Sequence, residues 1–273
     1  MDDGAGRNFP DLRVLDGDLG TGVRYAITSR ERGASRGTFA YGNLADHVGD
    51  DPVAVEINRR SLSRALRASQ GLAVIEAVHG DDVAWATAAG SYANVDALVT
   101  DSVGVGLVAL GADCSVIGIG AITSDGIPIA GVAHCGWRGL VADVVGAVVT
   151  RITSAGGRQL RAVIGPTICG SCYRVDADRR EEVLNRCSPG VAAAAVGQDR
   201  AAASAGLDVR SGVRRRLEEL GVDVVADVGC TAEDDRWFSH RATVERAGPR
   251  ARTGRHGLAV VIDRVQPRTA KET

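Results

Sequence analysis

The sequence predicts a single layered domain of the mixed α/β (α+β) class, and three observations support this prediction. The chain has 273 residues and a mass of 28.3 kDa, and 45% of its residues are apolar, so it can bury a large core. Apolar runs rich in β-branched residues are mixed with amphipathic helical patterns, without strict strand–helix alternation. No internal repeat and no Pro/Ser-rich linker divides the chain. We expect one domain over residues 1–265, followed by a frayed polar tail over residues 266–273.

Seven apolar runs predict buried β-strands. They are Ala73–Val78, Val103–Leu110, Val116–Ile122, Ile127–Ala133, Leu160–Ile164, Val222–Val228 and Leu258–Ile262. The third and fourth runs are joined by Thr-Ser-Asp-Gly at 123–126, which predicts a hairpin because the Asp-Gly pair accepts positive φ.

Four segments with helical spacing of apolar residues predict helices between these strands. Two of them begin with an acidic N-cap residue, and the one before Gly221 ends at a glycine, as helices commonly do. The predicted helices are Val53–Ala68, Gly139–Ser154, Asp176–Cys187 and Asp208–Leu220.

The charge composition argues against several classes of function. Lys+Arg is 32 and Asp+Glu is 34, so the net charge of −2 gives no general affinity for nucleic acid or an anionic membrane. Lys271 is the only lysine, which argues against Schiff-base chemistry. Aromatic residues make up only 4% of the chain, which disfavours stacking of single-stranded nucleic acid.

The sequence also indicates a soluble cytoplasmic protein. The first residues show no secretory signal pattern, and six cysteines are too few for a disulfide-stapled secreted domain of this length. The apolar stretch 103–123 carries Asp113 at its centre and many glycines, so we interpret it as two buried strands rather than a membrane span.

Three potential metal ligands lie at the ends of predicted strands. His79 and His134 each follow an apolar run, and Cys114 follows another. Because side chains at the ends of neighbouring strands converge at one rim of a sheet, we expect these three to meet. Two imidazoles and one thiolate suit zinc with an open fourth position, which is typical of a catalytic site. Ordinary structural roles for the two histidines remain the alternative at this point.

Two further motifs are ambiguous. Gly136-Trp137-Arg138-Gly139 predicts a turn into a helix whose N-terminus, with Arg138, would suit a phosphate group; the alternative is a surface arginine in a turn that needs glycine. Cys169-x-x-Cys172 is a single pair, whereas a zinc ribbon needs two, and it follows a Gly-Pro loop. We therefore interpret this pair as structural.

Taken in order, these motifs resemble the laccase-domain (YfiH-like) family, whose members were labelled multicopper polyphenol oxidases and are now regarded as purine nucleoside phosphorylases. The resemblance runs from about residue 20 to residue 262. Its blocks are Tyr41–Leu44, His47–Asp51, Glu56–Arg60, Ala77–Gly80, Asp96–Thr100, Ala112–Cys114, Ala133–Gly139, Ile164–Pro166, Cys230-Thr231, Phe238-Ser239 and Thr253–Arg255.

The resemblance implies a single-domain α/β/β/α sandwich with zinc held by His79, Cys114 and His134. It implies phosphorolysis of adenosine, and of inosine, guanosine or methylthioadenosine, to free base and a ribose 1-phosphate, with adenosine deamination as a companion activity. Asn43 and Arg59 are carried over as substrate-binding residues, and Arg138 joins them as the expected phosphate contact.

The chain departs from the family pattern at two places. Cys135 replaces the customary alanine after the second histidine and could compete for the metal. The loop after the Gly-Pro pair carries Cys169 and Cys172 rather than a glycine-rich sequence.

Three other functions remain open, and a multicopper laccase is not among them. A multicopper laccase is excluded by counting, because five histidines and a single methionine, Met1, cannot supply a blue copper centre and a trinuclear cluster. A single copper ion could still replace zinc and give weak polyphenol oxidase activity. A zinc amidase that edits peptidoglycan precursors would use the same residues, and a non-catalytic protein could keep the metal for stability alone.

Overall fold

The computed structural model describes residues 10–197 and 206–263. Its twelve strands are β1 (Val14–Asp18), β2 (Val23–Thr28), β3 (Leu72–Glu76), β4 (Val83–Trp85), β5 (Gly90–Ala93), β6 (Ala97–Thr100), β7 (Gly106–Gly111), β8 (Ser115–Ile122), β9 (Pro128–Cys135), β10 (Arg158–Ile164), β11 (Asp223–Asp227) and β12 (His256–Ile262). Its seven α-helices, counted over the same ranges, are α1 (Pro52–Leu66), α2 (Trp137–Ala142), α3 (Val144–Ser154), α4 (Ala177–Arg186), α5 (Pro189–Val196), α6 (Val209–Glu219) and α7 (His240–Ala247).

The strands form two mixed six-stranded sheets. The first sheet has the order β1-β2-β12-β7-β3-β5, and the second has the order β11-β10-β8-β9-β6-β4. Apolar side chains from both sheets, among them Ile27, Leu107, Val132 and Leu258, fill the space between them and are fully buried. The centre of the molecule is therefore a sheet-on-sheet core.

Helices cover the outer face of each sheet. The apolar side of α1, with Leu62 and Leu66, packs on the first sheet. On the second sheet lie α2, α3 and α6, with α4 and α5 packed against α2 and α6. This arrangement confirms the predicted mixed α/β fold and its α/β/β/α layers.

All seven predicted strands are present, and the predicted hairpin joins β8 to β9 in antiparallel register. In the hairpin turn only Gly126 has positive φ, at 82°. Strands β8, β9 and β12 are buried over almost their whole length, which explains their continuous apolar sequences. Five strands were not predicted, namely β1, β2, β4, β5 and β6.

The prediction of one helix over Gly139–Ser154 is wrong, because α2 and α3 are separate helices. Asp143 stands between them in the left-handed conformation (φ 67°), and its carboxylate caps α3 by accepting from the Gly146 N–H. The carboxylate also pairs with Arg216, at 2.6 and 2.8 Å. The other three predicted helices are present as α1, α4 and α6.

The predicted tail over residues 266–273 lies outside the described residues, as do the first residues searched for a signal. Within the described ranges, no helix has the length and apolar character needed to cross a membrane. The stretch 103–123 forms strands β7 and β8, as predicted.

Candidate functional site

His79, Cys114 and His134 meet at one end of the sheet-on-sheet core. His79 follows β3, Cys114 lies between β7 and β8, and His134 is the penultimate residue of β9. Their candidate ligand atoms all lie within 4.8 Å of one another, and Cys114 Sγ is 4.0 Å from His79 Nε2. The two imidazole rings stand edge to face, with centroids 4.8 Å apart.

The expectation that one sheet rim assembles this trio needs correction. Strands β3 and β7 belong to the first sheet, whereas β8 and β9 belong to the second. Cys114 lies on the connection that passes from one sheet to the other. The trio therefore spans the ends of both sheets, and its geometry depends on how the sheets pack.

The Asp96 carboxylate holds both histidines of the trio in place through hydrogen bonds. This buried carboxylate, just before β6, accepts hydrogen bonds from the backbone N–H groups of Val78, His79 and Gly80, at 2.7–3.2 Å. It also lies 3.0 Å from His134 Nδ1. A hydrogen on Nδ1 leaves His134 Nε2 free to bind a metal, and carboxylates commonly orient ligating histidines in this way.

The same contacts set the charges of the trio. Burial opposes ionisation of the Cys114 thiol, but the neighbouring charge and hydrogen bond of His134, with help from His79, lower its pKa to about 6. Burial likewise disfavours charged His134, but Cys114 and Asp96 raise its pKa to about 9. Near neutral pH the metal-free pair is therefore a thiolate and an imidazolium.

Gly136 gives the trio the space it needs. A Cβ atom at this position would stand 3.0 Å from Cys114 Sγ and 3.1 Å from His79 Cδ2. Any larger residue would displace two of the three candidate ligands.

Cys135 does not join the trio, although the sequence suggested that it could compete for the metal. Neighbouring residues of a strand face opposite sides of the sheet, so Cys135 points away from His134 and packs in the core beneath the helices. Burial, together with the nearby Cys114, raises the pKa of its thiol well above the ordinary value.

A cavity of about 420 Å³ opens above the trio, within the size range of small-molecule sites. Its wall carries two aromatic side chains, Trp137 and Tyr173, and three arginines, Arg138, Arg179 and Arg241. The guanidinium groups of Arg138 and Arg179 lie 4.7 and 5.0 Å from the Trp137 ring centroid, and that of Arg241 lies 5.2 Å from the Tyr173 ring centroid. The cavity thus combines flat apolar surfaces with positive charge.

Arg138 is the one predicted substrate-binding residue that lines this cavity. It is exposed and lies in the first turn of α2, next to the trio. The predicted turn into a helix after His134 is therefore present, although α2 is only six residues long.

Asn43 and Arg59 do not line this cavity. Asn43 is fully buried, and its amide is used by Ala45, Asp50 and the backbone N–H of Arg255. Arg59 donates to the Leu44 carbonyl and pairs with Asp46 at 3.4 Å. Both residues support a neighbouring second cavity whose lining includes Asp46, Arg255 and the shared His240, so any effect on substrate would be indirect.

Sequence reasoning missed the part of the cavity that comes from distant chain segments. Tyr173 and Arg179 come from the loop before α4 and from α4 itself, and His240 and Arg241 begin α7. The sequence signal that could have revealed the start of α7 was Ser239, which caps this helix by accepting a hydrogen bond from the Ala242 N–H. The Arg241 backbone N–H donates to Asp113, which ties α7 to the Cys114 loop.

Comparison with known families identifies the chain's relatives. A family model described as multi-copper polyphenol oxidoreductase laccase matches residues 24–263, so the chain belongs to this family. The resemblance inferred from the motifs is confirmed.

Two relatives from Streptomyces are named for a different activity. Purine nucleoside phosphorylases of Streptomyces griseus and Streptomyces coelicolor are each 37% identical, over 80% and 82% of this chain and 89% and 92% of theirs. Among solved structures, YlmD from Geobacillus stearothermophilus has 26% identity and a TM-score of 0.79, covering 94% of this chain and 98% of that one. A Neisseria meningitidis protein has 27% identity and a TM-score of 0.76, covering 93% and 100%.

Proposed function

We propose that this member of the family is a zinc-dependent purine nucleoside phosphorylase. It converts adenosine, and also inosine, guanosine or methylthioadenosine, with phosphate into the free base and a ribose 1-phosphate. The observation that carries the proposal is that a His-Cys-His trio lies at a cavity lined by aromatic and arginine side chains. The names of its relatives support the same reaction class.

The trio fits zinc by its donor set. Two imidazole nitrogens and one thiolate are ordinary zinc ligands, and three protein ligands are typical of a catalytic centre. Asp96 fixes His134 with Nε2 available, and the Cys114 pKa of about 6 favours the thiolate at neutral pH. When bound, zinc would supply positive charge to polarise the substrate.

The cavity wall would bind the two substrates through different side chains. The aromatic side chains of Trp137 and Tyr173 would give a purine apolar contacts in the cavity wall. The guanidinium groups of Arg138, Arg179 and Arg241 match the charge and geometry of phosphate. In this division the phosphate would lie close to the trio.

The reaction requires stabilisation of opposite charges. A phosphate oxygen bonds to C1′ of the ribose while the bond from C1′ to the purine nitrogen breaks, and the purine leaves with the bonding electrons and then takes a proton. The arginines hold the attacking phosphate in place, which contributes to the rate by orientation.

Two hydrolytic activities are the principal alternatives at this site. Three protein ligands leave a position for water, which also suits adenosine deamination, and we include this as a companion activity. Amide hydrolysis of peptidoglycan precursors would use the same metal. The arginine-lined cavity favours phosphorolysis, because neither hydrolysis uses phosphate.

The proposal is tested by incubating zinc-loaded protein with adenosine, with and without phosphate, and separating the products by chromatography. Adenine and ribose 1-phosphate formed only with phosphate are expected. Inosine as the sole product, in amounts independent of phosphate, would reassign the site to deamination. No turnover of any nucleoside would exclude the proposal. Copper must be kept out, because it binds most N/S sites more tightly than zinc.

A matched pair of arginine variants tests the phosphate contact. Arg138→Gln should raise the KM for phosphate about tenfold or more, the effect of losing one charge-assisted hydrogen bond. Arg151→Gln is the control, because Arg151 stacks on Trp85 at 5.3 Å, as Arg138 does on Trp137, but lies on α3 outside the cavity. An unchanged phosphate KM in Arg138→Gln would remove this residue from the phosphate site.

A further inference from the structure

A second group of potential metal ligands lies outside the trio. Cys169 and Cys172 stand on the loop between β10 and α4, and Cys230 and Glu233 stand on the loop between β11 and α7. These two pairs are more than 50 positions apart in sequence, so only the fold brings them together. The pair interpreted above as merely structural thus has two partners that spacing alone does not reveal.

The four donor atoms form one compact cluster. One sulfur or oxygen from each residue lies within 4.8 Å of every other. Glu233 Oε1 is 3.6 Å from Cys169 Sγ and 3.4 Å from Cys172 Sγ. Donors around a tetrahedral zinc with Zn–S bonds of about 2.3 Å are separated by roughly 3.8 Å, so small side-chain rotations suffice to complete such a shell.

Backbone hydrogen bonds hold the two loops side by side in this position. The N–H groups of Cys172 and Tyr173 both donate to the Cys169 carbonyl, which closes the C-x-x-C turn. Thr167 donates to Gly229 and Thr231 donates to Thr167, at 3.2 and 3.3 Å. The Cys169 N–H also points at Cys230 Sγ, at 3.2 Å, a contact that stabilises a thiolate. The cluster therefore does not depend on flexible side chains alone.

We propose that Cys169, Cys172, Cys230 and Glu233 bind a second zinc ion, in a closed four-coordinate site that fastens the two loops together. Three thiolates and one carboxylate are ligands that zinc accepts, and a site with four protein ligands has no position for a substrate. Its role is structural. The fastened loop carries Ile168 and Tyr173, so this ion would fix one wall of the cavity.

A disulfide explains the cluster less well. All six cysteines are free thiols. A disulfide would use two sulfurs and would leave the third thiol and the carboxylate oxygen converging without a function. A metal uses all four donors.

Metal content of the purified protein tests the proposal without reference to activity. We expect two zinc ions per wild-type chain and one in Cys172→Ser. Cys187→Ser is the matched control, because Cys187 is also partly buried but its thiol donates to the Leu140 carbonyl, away from both clusters, and this variant should retain two. Equal zinc content in Cys172→Ser and wild type would overturn the proposal.

A cobalt-substituted Cys114→Ser protein tests the site even if Cys172→Ser fails to fold. This variant keeps the second cluster intact, so we expect the strong visible absorption of tetrahedral cobalt with several thiolate ligands. Absence of this absorption would refute the site. Since Cys114→Ser removes the catalytic trio, failure of the proposed phosphorylase function would leave this result unaffected.

Discussion

At the scale of single residues, Asp96 links the two histidines of the candidate active site. This carboxylate is fully buried, and it binds three consecutive backbone N–H groups around His79 as well as the His134 ring. One residue therefore sets both the turn that presents one histidine and the tautomer of the other.

Asp96→Asn should weaken zinc binding at the trio by about 10- to 100-fold, the range found when residues that orient metal ligands are replaced. The amide keeps the shape of the carboxylate but loses the charge that stabilises the His134 ring. Zinc affinity measured by competition with a chelator checks this. Asp81→Asn, an exposed residue two positions after His79, is the control and should bind like wild type. Wild-type affinity in Asp96→Asn would contradict the role assigned to Asp96.

Zinc affinity at the trio should rise with pH between about 6 and 9. Because the pKa of Cys114 is lowered to about 6 and that of His134 is raised to about 9, the metal-free pair holds one proton in this window, on His134. Zinc must displace that proton, so affinity should increase roughly tenfold per pH unit. The measurement is best made on Cys172→Ser, which removes the second cluster. A zinc affinity that does not change between about pH 6.5 and about pH 8.5 would show that His134 does not carry this proton.

At the scale of elements, the break between α2 and α3 is held by the single residue Asp143 and its contacts. Asp143 ends α2 in the left-handed conformation and caps α3, and its ion pair with Arg216 ties both helices to α6. Asparagine and aspartate tolerate this conformation better than most residues.

Asp143→Ala should lower the free energy of unfolding by about 1–2 kcal/mol, because it loses a helix cap and places alanine at positive φ. Asp143→Asn keeps the cap and tolerates the conformation, so it should lose less. Urea unfolding of the two variants and wild type measures the difference. An Asp143→Ala protein as stable as wild type would show that the break is fixed by the surrounding packing alone.

The strands predicted from the sequence lie in mostly apolar segments of five or more residues, and the missed strands are short, exposed or interrupted by polar side chains. All seven predicted strands have apolar sequences, whereas β1 is largely exposed and β4 has only three residues, so neither shows a clear pattern. Helix α7 buries only Ala242 and has eight residues, which is too short for a clear apolar pattern. The long helix was wrongly predicted because apolar spacing continues across Asp143, which adopts the left-handed conformation and pairs with Arg216 of a distant helix.

The residues of the candidate site were likewise predicted only in part from the sequence. His79, Cys114 and His134 were predicted because each follows an apolar run. Arg179 and Arg241 were not, because they meet the site only through tertiary contacts between segments far apart in the chain. Local sequence indicates the three candidate ligands, and the packing of the two sheets and their loops adds the other residues of the cavity.

At the scale of the whole molecule, the close approach of the two sheets positions the trio. Gly118 in the middle of β8 has no room for a side chain, because a Cβ atom there would lie 2.7 Å from Leu258 and 2.8 Å from Val260 on the opposite sheet. The spacing of the sheets is therefore set by backbone-to-side-chain contact at this point.

Gly118→Ala should destabilise the protein by about 1–3 kcal/mol, the usual effect of overpacking a core, and should also weaken zinc binding because the trio spans both sheets. Gly229→Ala is the stability control, since its Cβ would meet nothing within 4 Å. Thermal unfolding and zinc titration of both variants provide the comparison. A stable Gly118→Ala protein with wild-type zinc affinity would refute the link between sheet spacing and the site.

The most direct test of the central claim is the initial rate of ribose 1-phosphate formation from adenosine and phosphate by zinc-loaded wild type and by Cys114→Ala. If the trio performs phosphorolysis, the variant should lose at least about 100-fold in rate, or about 2.7 kcal/mol of transition-state stabilisation, while Cys187→Ala stays at the wild-type rate. A full rate of phosphorolysis in a folded Cys114→Ala protein would contradict the assignment of His79, Cys114 and His134 as the catalytic centre.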